Sequence, residues 1–227
     1  MNGAPESSQQ LAHISTRWSC VKDINRFVLR YIDAMRHLLV LVVKDEDDAR
    51  EVLQGFLTKV VERGFRNEVP TSGRFRDYLA RSLRNAAMDH FRQAKPVQAS
   101  EGLLAQIESE RETHDDLWKR TWTSCLIDRA WQKLEHHQYT NEGTFAYSIL
   151  RFSVENSGLD SKHAAAQFAS VQGTTLTPEA YRKQVSRARR KFAQLLTEEV
   201  RQTLESPTAE SLDEEISSLG LQPYVKG

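Results

Sequence analysis

The chain is poor in the residues that staple or interrupt a fold: two cysteines, six prolines and ten glycines in 227 residues. Cys20 and Cys125 stand far apart and belong to no spaced cluster. They offer no disulfide framework and are expected as reduced, partly buried thiols of a cytoplasmic protein. With so few breakers, few alternating runs from which strands could form, and plentiful Leu, Ala, Arg, Glu and Gln, the composition predicts an all-α protein. Long apolar runs are missing too. The longest, LLVLVV from Leu38 to Val43, falls well short of the ~18 residues a membrane span needs. The start MNGAPESSQQ lacks the basic end and apolar core of a secretory signal. Also absent are a Gly-rich phosphate loop, a nucleophile elbow, and a His paired with Cys or Ser and an orienting acid. Neither an enzyme, a cofactor nor a metal centre is therefore expected. His136 and His137 are adjacent, so on a helix they point different ways, and no carboxylate or cysteine stands at matching ligand spacing. Asp45 to Asp48 make an acidic run, but acids at a helix start answer the dipole, and the glycine and glutamate of a calcium loop are missing.

Net charge is lacking as well, with 31 basic against 31 acidic residues, yet the charge is segregated along the chain. From Gly73 to Lys95 the sequence GRFRDYLARSLRNAAMDHFRQAK has helical periodicity. At about 100° per residue, Phe75, Tyr78, Leu79, Leu83, Ala86 and His90 fall on one side, and Arg74, Arg81, Asn85 and Arg92 line the other. A row of arginines with most of its acid held away is what phosphates would meet. From Thr177, TPEAYRKQVSRARRKFAQLL repeats the theme. Tyr181, Val185, Ala188, Phe192 and Leu195 make an apolar stripe. Around it stand Arg182, Lys183, Arg187, Arg189, Arg190 and Lys191, with no acid between Glu179 and Glu198. A basic face alone is most often merely solvated; two of them in one neutral chain ask for a polyanion.

A hydrophobic content of 39% suits small cores better than one large one, so two small helical domains joined by a linker are expected. Residues 1–14 are polar and read as disordered. Residues 15–95 form a first, three-helix domain. Its helices are the stretch from Ile24 to Val43, a second marked by Ala49, Val52, Leu53, Phe56, Leu57, Val60 and Val61 and stopped by Gly64, and the basic helix after the polar loop Phe65 to Ser72. Pro96 ends that helix. Residues 96–115 are a linker with a short helix at Leu103 to Ile107. The second domain covers 116–204. Leu117, Trp118, Trp122, Leu126, Ala130, Trp131 and Leu134 mark one helix, the tryptophans being spaced as core residues, and Phe145, Ile149, Phe152 and Val154 mark another. Ser161 to Ala169, the connection SVQGTTL, and a helix capped by Thr177 with Pro178 at its first position are the parts of a helix-turn-helix. The connection is about six residues longer than the three or four usual for that motif. Residues 205–227 are an acidic tail, which could lie on a basic helix.

In order and spacing, these segments resemble bacterial RNA polymerase sigma factors of the extracytoplasmic-function (ECF) type. DDAREVLQGFLTKVVERG is similar to region 2.2; GRFRDYLARSLRNAAMDHFRQAK is similar to regions 2.3 and 2.4, with Arg84, Asn85, Asp89 and Arg92 at the positions of their R-N-x-x-x-D-x-x-R core. TPEAYRKQVSRARRKFAQLLTEEVRQTL resembles the region 4 recognition helix, and TRWS at Thr16 to Ser19 is typical of an ECF-like subgroup with the same EEV-x-x-T ending.

The resemblance implies an all-α chain whose sigma region 2-like three-helix domain and region 4-like helix-turn-helix domain direct transcription initiation, opening the minus-ten element and reading the minus-thirty-five element. It implies DNA contacts from Phe65, Arg74, Arg81, Arg84, Asn85 and Arg92 in the first domain and from Arg182, Lys183, Ser186, Arg187 and Arg190 in the second. Polymerase contacts fall to Asp48, Glu51 and Gln54. The implied partners are the RNA polymerase core, through its beta-prime coiled coil and beta flap, promoter DNA, and an anti-sigma factor or other regulator, with no membrane. The chemistry suits these tasks: arginines neutralise phosphates, Asn85 offers a donor and an acceptor to a base edge, and Phe65 or His90 can stack on an unpaired base. Two departures stand out. Gly55 replaces the acid that follows the region 2.2 glutamine, and the turn before Thr177 is long. They favour a competing expectation, a helical DNA-binding regulator or a degenerate sigma relative that acts without polymerase. Asp89 has a plainer use as an ion-pair partner of Arg92 or Arg84.

Overall fold

The computed structural model describes residues 24–63, 74–94, 102, 105, 107, 109–141, 143–204 and 207–225. Residues 1–14, the TRWS segment, the loop with Phe65, and half of the expected linker lie outside the described residues. The rest is all-α, with no strand among the described residues, and no described helix is long and apolar enough to cross a membrane. The helices are α1 (Ile24–Val43), α2 (Glu46–Arg63), α3 (Phe75–Ala94), α4 (Arg111–Thr140), α5 (Ala146–Glu155), α6 (Ser161–Gln172), α7 (Pro178–Arg201), α8 (Ala209–Ser218) and α9 (Gln222–Val225). Gly102, Ala105, Ile107 and Ser109 are helical as well, where a short helix was expected. The chain divides into two compact units, residues 1–125 with 202–208, and residues 126–201 with 209–227.

In the first unit α1, α2 and α3 pack on one another. Tyr31, Ala34, Met35, Leu38, Leu39 and Val42 of α1 are buried against Ala49, Val52, Leu53, Phe56 and Val60 of α2 and Leu79, Leu83, Ala87 and Phe91 of α3. Val61, expected on the inner stripe of α2, is exposed. Lys44, at φ 61, turns the chain between α1 and α2. Asp45 then caps α2, its Oδ1 accepting from the backbone N–H of Asp47 and of Asp48 at 2.9 Å, while Glu46, Asp47 and Asp48 fill the first turn.

The fourth wall of this core comes from the start of α4. Trp122 is fully buried and its ring stacks on Tyr31, centroids 4.5 Å apart and planes 2° from parallel. Trp118 donates Nε1–H to the Arg76 carbonyl at 3.1 Å. With neither glycine nor proline between Arg111 and Thr140, nothing breaks α4, and its residues up to Cys125 belong to the first unit, its later ones to the second. The sequence placed the domain boundary at 116. Trp118 and Trp122 are core as expected, but they serve the first core, while Trp131 in the second unit is only half-buried.

The second unit surrounds α7. Leu126, Ala130 and Leu134 of α4, Ile149 and Leu150 of α5 and Phe168 of α6 are buried, and α5, α6, α8 and α9 all pack on α7. Phe168 meets Phe152 at 5.5 Å, Phe145 at 6.0 Å and Tyr181 at 6.3 Å; such tilted and edge-on pairs add to the burial of each ring. Trp131 lies against Phe192 at 4.8 Å. Glu199 is fully buried on α7 and is offset by Arg129 Nε at 3.1 Å and by Lys133 Nζ, as a buried carboxylate requires. Of the acidic tail, residues 207–225 are described, and they are folded into α8 and α9 and their connection. Leu212, Ile216, Leu219 and Leu221 are buried, while Asp213 and Glu214 face solvent.

Candidate nucleic-acid interface

Helix α6 starts on a strong cap. The Asp160 carboxylate accepts from the N–H of Lys162 at 2.8 Å and of His163 at 3.1 Å, and lies 2.6 Å from His163 Nδ1. These bonds, that with the His163 ring foremost, hold its carboxyl down at about 2. The helix ends on Gly173 at φ 61, in the left-handed region that a side chain resists, and Thr174 N–H returns to the Ala169 carbonyl at 3.0 Å. Ser170, Val171 and Gln172 are thus the last residues of α6 rather than part of the turn. What joins α6 to α7 is Gly173 to Thr177, close to the length usual for the motif. The connection appeared longer in sequence because Val171 is 72% exposed and Ser170 and Gln172 are polar, so no apolar periodicity marked the helix's last turn.

Thr177 Oγ1 accepts the Ala180 N–H at 3.2 Å, with Pro178 opening α7. Tyr181, Val185, Ala188, Phe192 and Leu196 face inward, matching the expected stripe except that Leu196 takes the place of Leu195. Arg182, Lys183, Ser186, Arg187 and Arg190 are all exposed. So is Arg189, whose position in the basic run was visible in sequence. Arg182 donates to Ser161 Oγ at 2.9 Å, holding α7 to the start of α6, and Lys183 pairs with Glu179 at 2.9 Å. Among the described residues no ion pair is recorded for Arg187, Arg189 or Arg190. From Arg182 to Arg190 a helix advances about 12 Å, about the width of the major groove.

Helix α3 gives a different surface. Its exposed stripe is Asp77, Arg81, Asn85, Asp89 and Arg92, so acids stand within the expected arginine row. Asp89 pairs with Arg92 at 3.5 Å and Asp77 with Arg76 at 3.4 Å. Arg84, expected to face DNA, is turned inward at 9% exposure, its Nη1 2.5 Å from Asp115 Oδ1. The buried sector is also rotated from the expected one. Ala87 and Phe91 are buried, while Ala86 and His90 are half-buried, because α1, α2 and the start of α4 close over a wide part of α3. His90 is largely covered, its ring edge-on to Phe91 at 5.7 Å, which leaves little of it to stack on a base. Arg74 is half-buried at the helix start; Phe65 lies outside the described residues.

Of the expected polymerase contacts, Glu51 and Gln54 are exposed on α2 and Asp48 is half-buried, its Oδ1 3.7 Å from His90 Nε2. Gly55 is exposed, and a Cβ there would meet open space, so no close approach explains the glycine. Comparison with the profiles of known protein families, with curated proteins and with solved structures finds no match.

Proposed function

We propose that this protein is a sigma factor of the ECF type, binding RNA polymerase core and directing it to promoters, with α6 and α7 reading duplex DNA. The observation that carries this reading is the exposed face of α7. Five cations, Arg182, Lys183, Arg187, Arg189 and Arg190, with Ser186 among them, occupy two turns without an interleaved acid, on a helix fixed by its own cap and by α6. Cations at this spacing reach phosphates on both sides of a groove while Ser186 and the arginines address base edges. Asn85 and Arg81 on α3 would hold the opened strand, and Glu51 and Gln54 would meet the polymerase. Transcription from the cytoplasm's polymerase would place the protein there.

A second reading, a helical DNA-binding regulator that acts without polymerase, draws on α3, where Arg84 is engaged by Asp115 and acids break the arginine row. Pull-down with purified bacterial core polymerase, followed by transcription on genomic fragments with the start sites mapped, separates the two. The sigma reading expects core to be retained and defined starts to depend on the protein. Duplex binding with no retention of core would select the regulator.

A further inference from the structure

Two carboxylates and an imidazole meet where α2 and α3 pack. Asp48 and Glu51 stand one turn apart on α2, and His90 comes from the last turns of α3; one donor atom from each lies within 4.8 Å of the others. The capping of α2 does not account for Asp48. That work falls to Asp45, which takes the free N–H groups of Asp47 and Asp48 itself, so the Asp48 carboxylate is directed instead at the His90 ring. Oδ1 and Nε2 are 3.7 Å apart, beyond hydrogen-bond reach. Two ligands of one ion at about 2.0–2.1 Å in tetrahedral geometry sit about 3.4 Å apart, so a small side-chain adjustment would bring both onto a shared cation. The imidazole is mostly covered and held edge-on to Phe91, which limits its freedom, while Glu51 is exposed and can swing in.

We infer that Asp48, Glu51 and His90 form a binding site for a zinc-like divalent cation. The mixed donor set decides the class: magnesium and calcium take oxygen ligands, whereas one imidazole with two carboxylates suits zinc. Three protein ligands leave a fourth position for water or for a ligand from another molecule. The site stands whether or not Asp48 and Glu51 also meet a polymerase. His90 is far from the two acids along the chain, and only the packing of α3 on α2 brings the three together.

The test is calorimetric titration of the tag-free full-length protein with zinc chloride, and separately with magnesium chloride. Zinc should bind one to one, with magnesium failing to compete at a hundredfold excess. Glu51→Gln, an exposed and nearly isosteric change, and His90→Ala should each weaken zinc at least tenfold. His163→Ala, which removes the other histidine beside a carboxylate, should leave the affinity unchanged. Zinc binding that survives both Glu51→Gln and His90→Ala, or no one-to-one binding at all, overturns the site.

Discussion

Helices α3 and α7 carry arginines at similar density, and they part company over what stands between them. On α3 the exposed stripe alternates sign, Asp77 one turn before Arg81 and Asp89 one turn after Asn85. On α7 the first acid after Glu179 is Glu198, near the far end. Partners differ as well. Arg84 and Arg92 of α3 are spent within the protein, while Arg187, Arg189 and Arg190 face solvent with no recorded ion pair among the described residues. A cation already held by a carboxylate gains less from a phosphate, because it must give up one anion to take another. The two helices look alike when arginines are counted and unlike when faces are compared, so on the proposed reading the main burden of duplex binding should fall on α7.

Replacing both Arg187 and Arg190 by Ala should therefore lower the affinity for duplex DNA roughly 30-fold at low salt and reduce the slope of log K against log salt by about two. The matching pair on α3, Arg81→Ala with Arg92→Ala, should change duplex affinity less than about threefold, though it would weaken the grip on an opened strand. Fluorescence anisotropy at several salt concentrations measures both. Equal losses would abolish the distinction between the helices.

Stability should show the reverse order. Arg84 is covered and bonded to Asp115, so Arg84→Ala takes away that carboxylate's nearer cation, leaving it only the looser pair with Arg111 at 3.9 Å, and opens a gap in the packing. The expected cost is about 2 kcal/mol, below the 3–5 of a fully buried pair because Asp115 is half exposed and rehydrates. Arg187→Ala, on an open surface, should stay within about 0.5 kcal/mol. Urea unfolding followed by circular dichroism decides it. An Arg84→Ala protein as stable as the parent would return that side chain to the solvent face and to the candidates for DNA contact.

These contrasts show what a chain reveals before it is folded. The helices, the apolar stripe of α7 as far as Phe192 and the cap at Thr177 were legible, because each depends on residues within one or two turns of one another. Across α3 the periodicity located the helix but misplaced its buried sector, since Ala86 and Ala87 differ by 100° and only the neighbours choose between them. The fate of Arg84 depended on Asp115, which reaches it only by packing of α4, and the same packing made Trp118 and Trp122 part of the first core. Exposed Val171 hid the last turn of α6. Distances between helices were the missing quantity each time, and they decide which cations remain available for a ligand.

The smallest expected effect concerns protons and again divides the two units. His114 lies at the start of α4 among Glu110, Arg84, Lys44 and Asp115. Burial first, opposed by Glu110 and then aided by the Arg84 and Lys44 cations, holds its imidazole below the usual 6.5. A histidine whose folded value is depressed is neutral in the fold, so it costs nothing above 6.5. As the pH falls below 6.5 and through the folded value, the unfolded chain takes up the proton first and stability is lost. His137 in the second unit is shifted the same way, by burial and then by Lys191, but it is only half-buried. Asp160 runs on another scale, since its carboxyl is held down at about 2 from 3.8; its cap on α6 is fully present above 3.8 and fades only as the pH approaches 2. Between pH 7 and pH 5 the melting temperature should therefore fall by on the order of 2 °C, and His114→Gln should remove more of that fall than His137→Gln. Thermal scans at half-unit steps of pH measure it. A larger flattening from His137→Gln would mean that the second unit, and not the one built around the Arg84 network, responds first to acid.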